Sequence, residues 1–248
     1  MSEFYIGYLS SAPLAIRRRV RLLAAAMVVF AVGGAALFAA SQNRFAASFF
    51  DYGKPAEFSG SLVLQPYPAL LVNRGMAGSS ETPYLLVAPG KFGADALVSG
   101  REGRNVRLRG TLIHRTEGKM IEIEPSSIQD LGESADRKGR PRDLGFATLS
   151  GEIVDTKCFL GVMNPGEGKV HRDCAARCLS GGIPPALVSS DFDGLQRLFL
   201  LVGDDGKPLL KSGFLQRAGR PVAISGRIFE SQGLYYLSTN EVRIQALE

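Results

Sequence analysis

The chain after residue 55 contains two copies of one pattern, and this duplication constrains the fold more than any other sequence feature. The copies keep an offset of 91 residues at first and of 115 to 116 residues later, so they run in the same order. Two copies of this length indicate duplicated domains and not a solenoid, which needs more and shorter repeats. The matched stretches are FSGSLV at 58–63 with LSGEIV at 149–154, YLLV at 84–87 with FLLV at 199–202, and VRLRGTLI at 106–113 with VAISGRIF at 222–229.

Each copy shows the periodicity of short β-strands. The last matched stretches alternate apolar and other residues around a central glycine, Gly110 or Gly226, and each is followed by a glycine turn and a second strand. A glycine inside a strand often marks a bend at a barrel corner. About five strands in each copy predict a mainly β protein of two tandem OB-like five-stranded barrels, with a small sandwich as the alternative. The predicted segments are 55–131 for the first domain, 132–146 for a polar linker and 147–248 for the second domain.

A long apolar run precedes the repeat. Residues 22–40 contain 19 residues without a charge, about 28 Å of helix, which matches the hydrocarbon thickness of a bilayer. We therefore predict a transmembrane helix at 22–41 that anchors the chain in the inner membrane and contacts the lipid bilayer. The alternative is a secretory signal cut after Ser41.

Basic residues before this run predict its orientation. They mark the cytoplasmic side, so residues 1–21 are expected in the cytoplasm and the repeats in the periplasm. Residues 1–21 also carry a net charge of +3, from four arginines and Glu3, out of a total of +5 for the whole chain. The repeats are nearly balanced in charge, and nucleic acid is not predicted as a partner. The basic residues are Arg17, Arg18, Arg19 and Arg21.

Small residues within the predicted anchor recur at four-residue spacing. Ala31, Ala35 and Ala39 would lie on one face of a helix, and such a face lets a second helix approach closely. This pattern predicts other integral membrane subunits as partners. The alternative is the ordinary alanine content of membrane helices.

The second copy carries an insertion. Asn73 and Asn164 match at the first offset, and 10 residues follow Asn73 before Tyr84, whereas 34 follow Asn164 before Phe199. This difference predicts 24 extra residues after Asn164. A helical Cys/His insertion is expected over 158–190.

All three cysteines and one histidine lie in or just before this insertion. On the predicted helix, His171, Cys174 and Cys178 occupy positions i, i+3 and i+7 of one face, and Cys158 is expected at the end of the preceding strand. One imidazole and three thiolates suit tetrahedral Zn²⁺, and Met163 nearby would also suit copper. In an oxidising compartment, a disulfide from Cys158 to Cys174 or Cys178 is the alternative.

The spacing Cys174-x3-Cys178 resembles part of the copper motifs of the CuA domain of cytochrome oxidase and of Sco-type copper chaperones. In those families the histidine follows the cysteines, whereas His171 precedes them here. Their folds also differ from the predicted barrels. The resemblance therefore implies copper chemistry at this spacing and no shared fold.

Catalytic patterns are absent from the sequence, so a non-enzymatic role is expected. Asp155 and Lys157 alternate on one predicted strand and are interpreted as a structural ion pair, and His114 on a strand of the first copy is interpreted as structural. The leading hypothesis is a membrane-anchored periplasmic accessory subunit or assembly factor of a respiratory or other redox membrane complex. The alternatives are a copper or zinc carrier with a Cys₃His site, and a thiol-disulfide redox protein.

Overall fold

The structure is a computed structural model, and it describes residues 12–42, 47–72, 81–134, 139–209 and 212–247. The chain divides into two compact units, Met1–Ala46 and Ala47–Glu248. The first unit contains one helix, and the second contains all the strands of the described residues.

Helix α1 spans Leu14–Gln42, and Leu14–Ser41 of it is long and apolar enough to cross a membrane. Its side chains from residue 18 to residue 41 are exposed, and a helix segment that is apolar on every face needs lipid or protein to cover it. The predicted apolar helix is confirmed, but it begins eight residues earlier than 22 because arginine is a good helix former. Of the predicted cytoplasmic segment 1–21, residues 1–11 lie outside the described part of the chain.

The first half of the second unit is a closed five-stranded barrel. Its ring runs β2-β3-β4-β6-β5 and back to β2, with β4 and β6 parallel and all other neighbours antiparallel. Strands β1 and β7 pair with β5 outside this ring. The elements are β1 (Phe49–Phe50), β2 (Ala56–Val63), β3 (Ala69–Val72), β4 (Thr82–Val87), α2 (Asp95–Val98), β5 (Arg104–Arg115), β6 (Gly118–Ile123) and β7 (Gln129–Glu133).

The second half repeats this barrel. Its ring runs β8-β9-β10-β12-β11 and back to β8, and β10 and β12 are the parallel pair. The elements are β8 (Arg142–Asp155), α3 (Arg172–Ser180), β9 (Pro185–Ser189), β10 (Arg197–Gly203), α4 (Ser212–Leu215), β11 (Pro221–Ser231), β12 (Leu234–Thr239) and β13 (Ile244–Ala246). The prediction of a mainly β protein with two five-stranded barrels is confirmed, and the sandwich alternative is wrong. Strand β8 begins inside the stretch 132–146 that the sequence presents as a linker.

Glycines at the centre of the two longest matched strands close the barrels. Gly110 pairs with Ala56 of β2 on one side and with Ile123 of β6 on the other, so β5 turns the corner at this residue. A Cβ atom there would lie 2.5 Å from the carbonyl oxygen of Glu122, and one at Gly226 would lie 2.2 Å from that of Ser238. Only glycine permits these approaches, which is the physical reason for the repeated glycine.

The pairing of the strands gives the position of the extra residues in the second copy. Val63 pairs with Ala69 across a five-residue link in the first barrel, and Val154 pairs with Ala186 across 31 residues in the second. The extra residues therefore lie between the first and second strands of the second barrel. The predicted insertion at 158–190 overlaps this link.

The match of Asn73 with Asn164 does not align equivalent strands. Asn164 lies in the long link between β8 and β9, and Asn73 lies outside the described residues. The true equivalents are the short strands β3 and β9, whose apolar residues carry no distinctive pattern. Cys158 is likewise three residues beyond the end of β8, not within the strand.

Each barrel has a hydrophobic core of its own, and a further cluster of buried residues, the shared core, joins the two within their unit. Tyr67 of the first barrel is buried in the second, where its hydroxyl donates a hydrogen bond to the carbonyl of Leu201 and accepts one from the N–H of Leu209. Burial raises the pKa of this hydroxyl well above its ordinary value. The buried residues of the shared core include Leu85, Ile113 and Met120 from the first barrel and Val154, Phe159, Leu200 and Tyr236 from the second.

Candidate functional site

The link between β8 and β9, residues 156–184 and hereafter the linking segment, contains three short turns of helix. A π-helical turn covers Cys158–Val162, a 3₁₀ turn covers Lys169–His171, and α3 follows directly and ends at Ser180, with Gly181 as its C-cap. A Cβ atom at Gly166 would lie 2.3 Å from the carbonyl oxygen of Cys158. The absence of a side chain there lets the chain return across Cys158, which brings the histidine and the other two cysteines back to it.

The three thiols meet at Cys158. Its Sγ lies 4.0 Å from that of Cys174 and 3.9 Å from that of Cys178. Two thiolates on a tetrahedral zinc ion, each about 2.3 Å from the metal, lie about 3.8 Å apart. The observed spacings are close to this value, whereas a disulfide bond needs about 2.05 Å. Cys158 and Cys178 are buried, and Cys174 is partly exposed.

His171 is fixed by a buried carboxylate. Its Nε2 lies 2.8 Å from Oδ2 of Asp155, and Oδ1 of Asp155 accepts a 2.9 Å hydrogen bond from the backbone N–H of Cys158. Both side chains are almost fully buried, at 2% and 0% exposure. Among the described residues, the other ring nitrogen, Nδ1, is buried without a hydrogen-bond partner.

The possible ligand atoms form two overlapping sets. Cys158, His171 and Cys174 offer ligand atoms within 4.8 Å of one another, and Asp155, Cys158 and Cys178 do the same. A Cys/His cluster is therefore present, with Cys158 common to both sets. The side chain of the fifth predicted ligand, Met163, is 44% exposed, and its backbone N–H is 3.3 Å from the carbonyl oxygen of Cys158.

The first barrel contributes a cation to this cluster. The amine of Lys91, in the loop after β4, lies 2.9 Å from Sγ of Cys174 and 3.6 Å from Sγ of Cys178. Sequence reasoning missed this residue, although the repeat pairs Gly90-Lys91 with Gly206-Lys207. A contact between residues 83 positions apart leaves no local pattern that would have shown it.

A second lysine holds this loop in place. Nζ of Lys157 donates hydrogen bonds to the carbonyls of Ala88 (3.0 Å) and Gly90 (2.6 Å) and forms a salt bridge with Glu122. The interpretation of Asp155 and Lys157 as an ion pair is therefore wrong. Asp155 pairs with His171 inside the cluster, whereas Lys157 points across to the first barrel.

The thiols of Cys158 and Cys178 share a hydrogen bond, and their pKa values are shifted in opposite directions. The hydrogen bond from Cys158 lowers the pKa of Cys178 to about 7, and the charge of Lys91 adds to this effect. The same hydrogen bond, with burial and the charge of Asp155, raises the pKa of Cys158. The hydrogen bond to Cys174 raises the pKa of Lys91. Cys178 therefore ionises near neutral pH while Cys158 keeps its proton, and the lysine stays charged beside the Cys178 thiolate.

Fold and site together define a two-barrel protein with an apolar N-terminal helix and a buried Cys/His cluster. No protein-family model, no curated protein and no solved structure matches the chain.

Proposed function

We propose that this protein is a membrane-anchored metal-binding protein that holds one thiophilic ion, Zn²⁺ or Cu⁺, between Cys158, His171, Cys174 and Cys178. The observation that carries the proposal is Nδ1 of His171, which is buried without a hydrogen-bond partner among the described residues. A buried polar atom left in this state costs about 1–3 kcal/mol. Coordination to a metal would satisfy it.

The surroundings of His171 support this role. Histidine ligands commonly donate their second ring N–H to a carboxylate, which fixes the tautomer and the ring orientation. Asp155 meets Nε2 in this way and leaves Nδ1 as the free ligand atom. The spacings of the Cys158 sulfur to the other two thiols suit a shared tetrahedral or trigonal ion.

The charges around the thiols also support binding. Three thiolates and one divalent ion carry one excess negative charge, and the ammonium group of Lys91 lies beside two of those sulfurs. The low pKa of Cys178 reduces the cost of releasing a proton when the metal binds. The chain's own residues thus supply the ligands, the orientation of the histidine and the compensating charge.

The wider proposal concerns the location of this site. Helix α1 would span the inner membrane with its arginines in the cytoplasm, and the barrels would lie in the periplasm. The strand order, with the third and fifth strands parallel, supports an OB-type barrel, and the linking segment is then a helical insertion in the second copy. A metal site on an anchored module suits an accessory or assembly factor that serves a redox membrane complex.

The experiment is a metal titration of the full chain in detergent under reducing, oxygen-free conditions. We expect about one equivalent of Zn²⁺ or Cu⁺, in line with a single Cys₃His site. His171→Ala and Cys158→Ser should lose it. His114→Ala is the matched control, because His114 is the chain's other histidine and stacks on Phe49 in the first barrel. Full binding by Cys158→Ser, or no binding by the unaltered protein, would refute the proposal.

A further inference from the structure

The contact between Lys91 and Cys174 is unusually close. Its N···S distance of 2.9 Å equals that of a charge-assisted N–H···O bond, about 2.7–2.9 Å, although sulfur is a larger atom than oxygen. Lys91 is exposed and Cys174 is partly exposed, so solutes reach this pair more readily than the two buried thiols.

The backbone on both sides of Lys91 is fixed. Lys157 binds the carbonyls of Ala88 and Gly90, and the N–H of Gly93 donates a 2.9 Å hydrogen bond to the carbonyl of Gly181 at the end of α3. A Cβ atom at Gly181 would lie 1.7 Å from the carbonyl oxygen of Lys91, so glycine is required for the loop to dock. The lysine is therefore positioned against the cluster by both barrels.

We propose that Lys91 and Cys174 are the site of a covalent nitrogen–oxygen–sulfur bridge formed with dioxygen. In the balanced step, the thiol of Cys174 and the ammonium group of Lys91 react with one O₂ to give S–O–N(H), one water and one proton released to solvent. One oxygen atom enters the bridge, and the other leaves with the S–H proton and one N–H proton. Dioxygen accepts four electrons, two for the lost hydrogens and two for the inserted oxygen. A single oxygen atom fits between N and S with little backbone movement.

The bridge would act as a reversible oxidative block of the metal site. It removes the thiolate of Cys174 from the ligand set and the positive charge of Lys91 from the cluster. Four electrons and four protons, supplied by two molecules of a dithiol, restore the thiol, the amine and one water. The bridge goes beyond the proposed function, since its formation requires no metal.

The test is the intact mass of the full chain, reduced and metal-free, after incubation in air-saturated or oxygen-free buffer. We expect a gain of about 14 Da in air only, a cross-link between the peptides of Lys91 and Cys174, and reversal by dithiothreitol. A loss of about 2 Da, which indicates a disulfide, a gain of about 16 Da, which indicates a sulfenic acid, or no change would each overturn the proposal.

Two variants separate this proposal from the metal proposal. Lys91→Arg removes the primary amine, so the 14 Da product should disappear, whereas His171→Ala loses a proposed metal ligand but keeps Lys91 and Cys174 and should still form the product. Lys207→Arg, at the equivalent position of the second barrel, should still form the product. Formation of the same product by Lys91→Arg would contradict the assignment to this lysine.

Discussion

The two barrels share a strand order but differ in the link between their first two strands. In the first barrel this link is five residues long and places Tyr67 in the shared core. In the second, the linking segment carries all three cysteines and His171. The same ring of strands accommodates both, so the barrel fixes the position of the site while the link supplies its chemistry.

The loops after the third strands also differ, but here it is the first barrel whose loop contributes a side chain to the site. Both barrels close this loop with the same kind of bridge, Val87 with Gly93 and Val202 with Pro208. In the first barrel the loop carries Lys91 to the thiols of the second. Each copy thus supplies what the other lacks, and the candidate site depends on both.

The largest expected effect comes from making the second barrel like the first. Replacing residues 155–185 by Leu64–Pro68 should abolish metal binding, because every proposed ligand is removed. The strands remain able to pair as they do in the first barrel, so the far-ultraviolet circular dichroism should keep its β signal. A chimera that is folded and still binds one equivalent would show that the site lies elsewhere.

The next effect concerns the salt bridge that joins the barrels. Lys157→Met leaves Glu122 without its buried partner, and removal of one member of such a pair costs about 3 kcal/mol. The side chains are only 3% and 20% exposed. Urea unfolding should show this loss. Arg104→Met, which breaks an exposed pair with Asp130, should change stability much less, and equal losses would contradict the role of Lys157.

A smaller effect is expected from the carboxylate behind the histidine. Asp155→Asn should weaken metal binding about 10- to 100-fold, as loss of a carboxylate behind a ligand does elsewhere. Competition with a metal indicator measures this affinity. Asp143→Asn, an exposed acid on the same strand that pairs with Arg227, is the control. An unchanged affinity for Asp155→Asn would mean that the orientation of His171 does not matter.

The smallest effect is on the ionisation of Cys178. The ultraviolet absorbance of thiolate in the reduced, metal-free protein should rise with a midpoint at about pH 7, and Cys178→Ser should remove this step. Lys91→Met should move the midpoint to higher pH, because the thiolate loses a nearby positive charge. A midpoint that is unchanged or lower in Lys91→Met would show that the charge of Lys91 does not lower the pKa of Cys178.

The features that could be predicted from sequence are those with a repeated or continuous pattern. The apolar run gave the helix, and the glycines at 110 and 226 marked the barrel corners. The equivalence of β3 and β9 could not be found in the same way, because both are short apolar strands without a distinctive residue.

The candidate site was predicted in part for a related reason. The ligand types and their spacing near α3 are local, so Cys158, His171, Cys174 and Cys178 could be named together. Lys91 is brought in by contact between the barrels, which no local pattern encodes. Asp155 was also noted in the sequence, but the alternation of side chains along the strand suggested Lys157 as its partner. The turn after β8 instead brings Asp155 to His171.

The most direct test of the metal site is X-ray absorption of the full chain loaded with one equivalent of Zn²⁺ or Cu⁺. We expect sulfur neighbours at about 2.3 Å and, for zinc, one imidazole nitrogen at about 2.0 Å. The nitrogen contribution should disappear in His171→Ala and persist in His114→Ala. A spectrum with only oxygen and nitrogen neighbours, or one that His171→Ala leaves unchanged, would contradict the account.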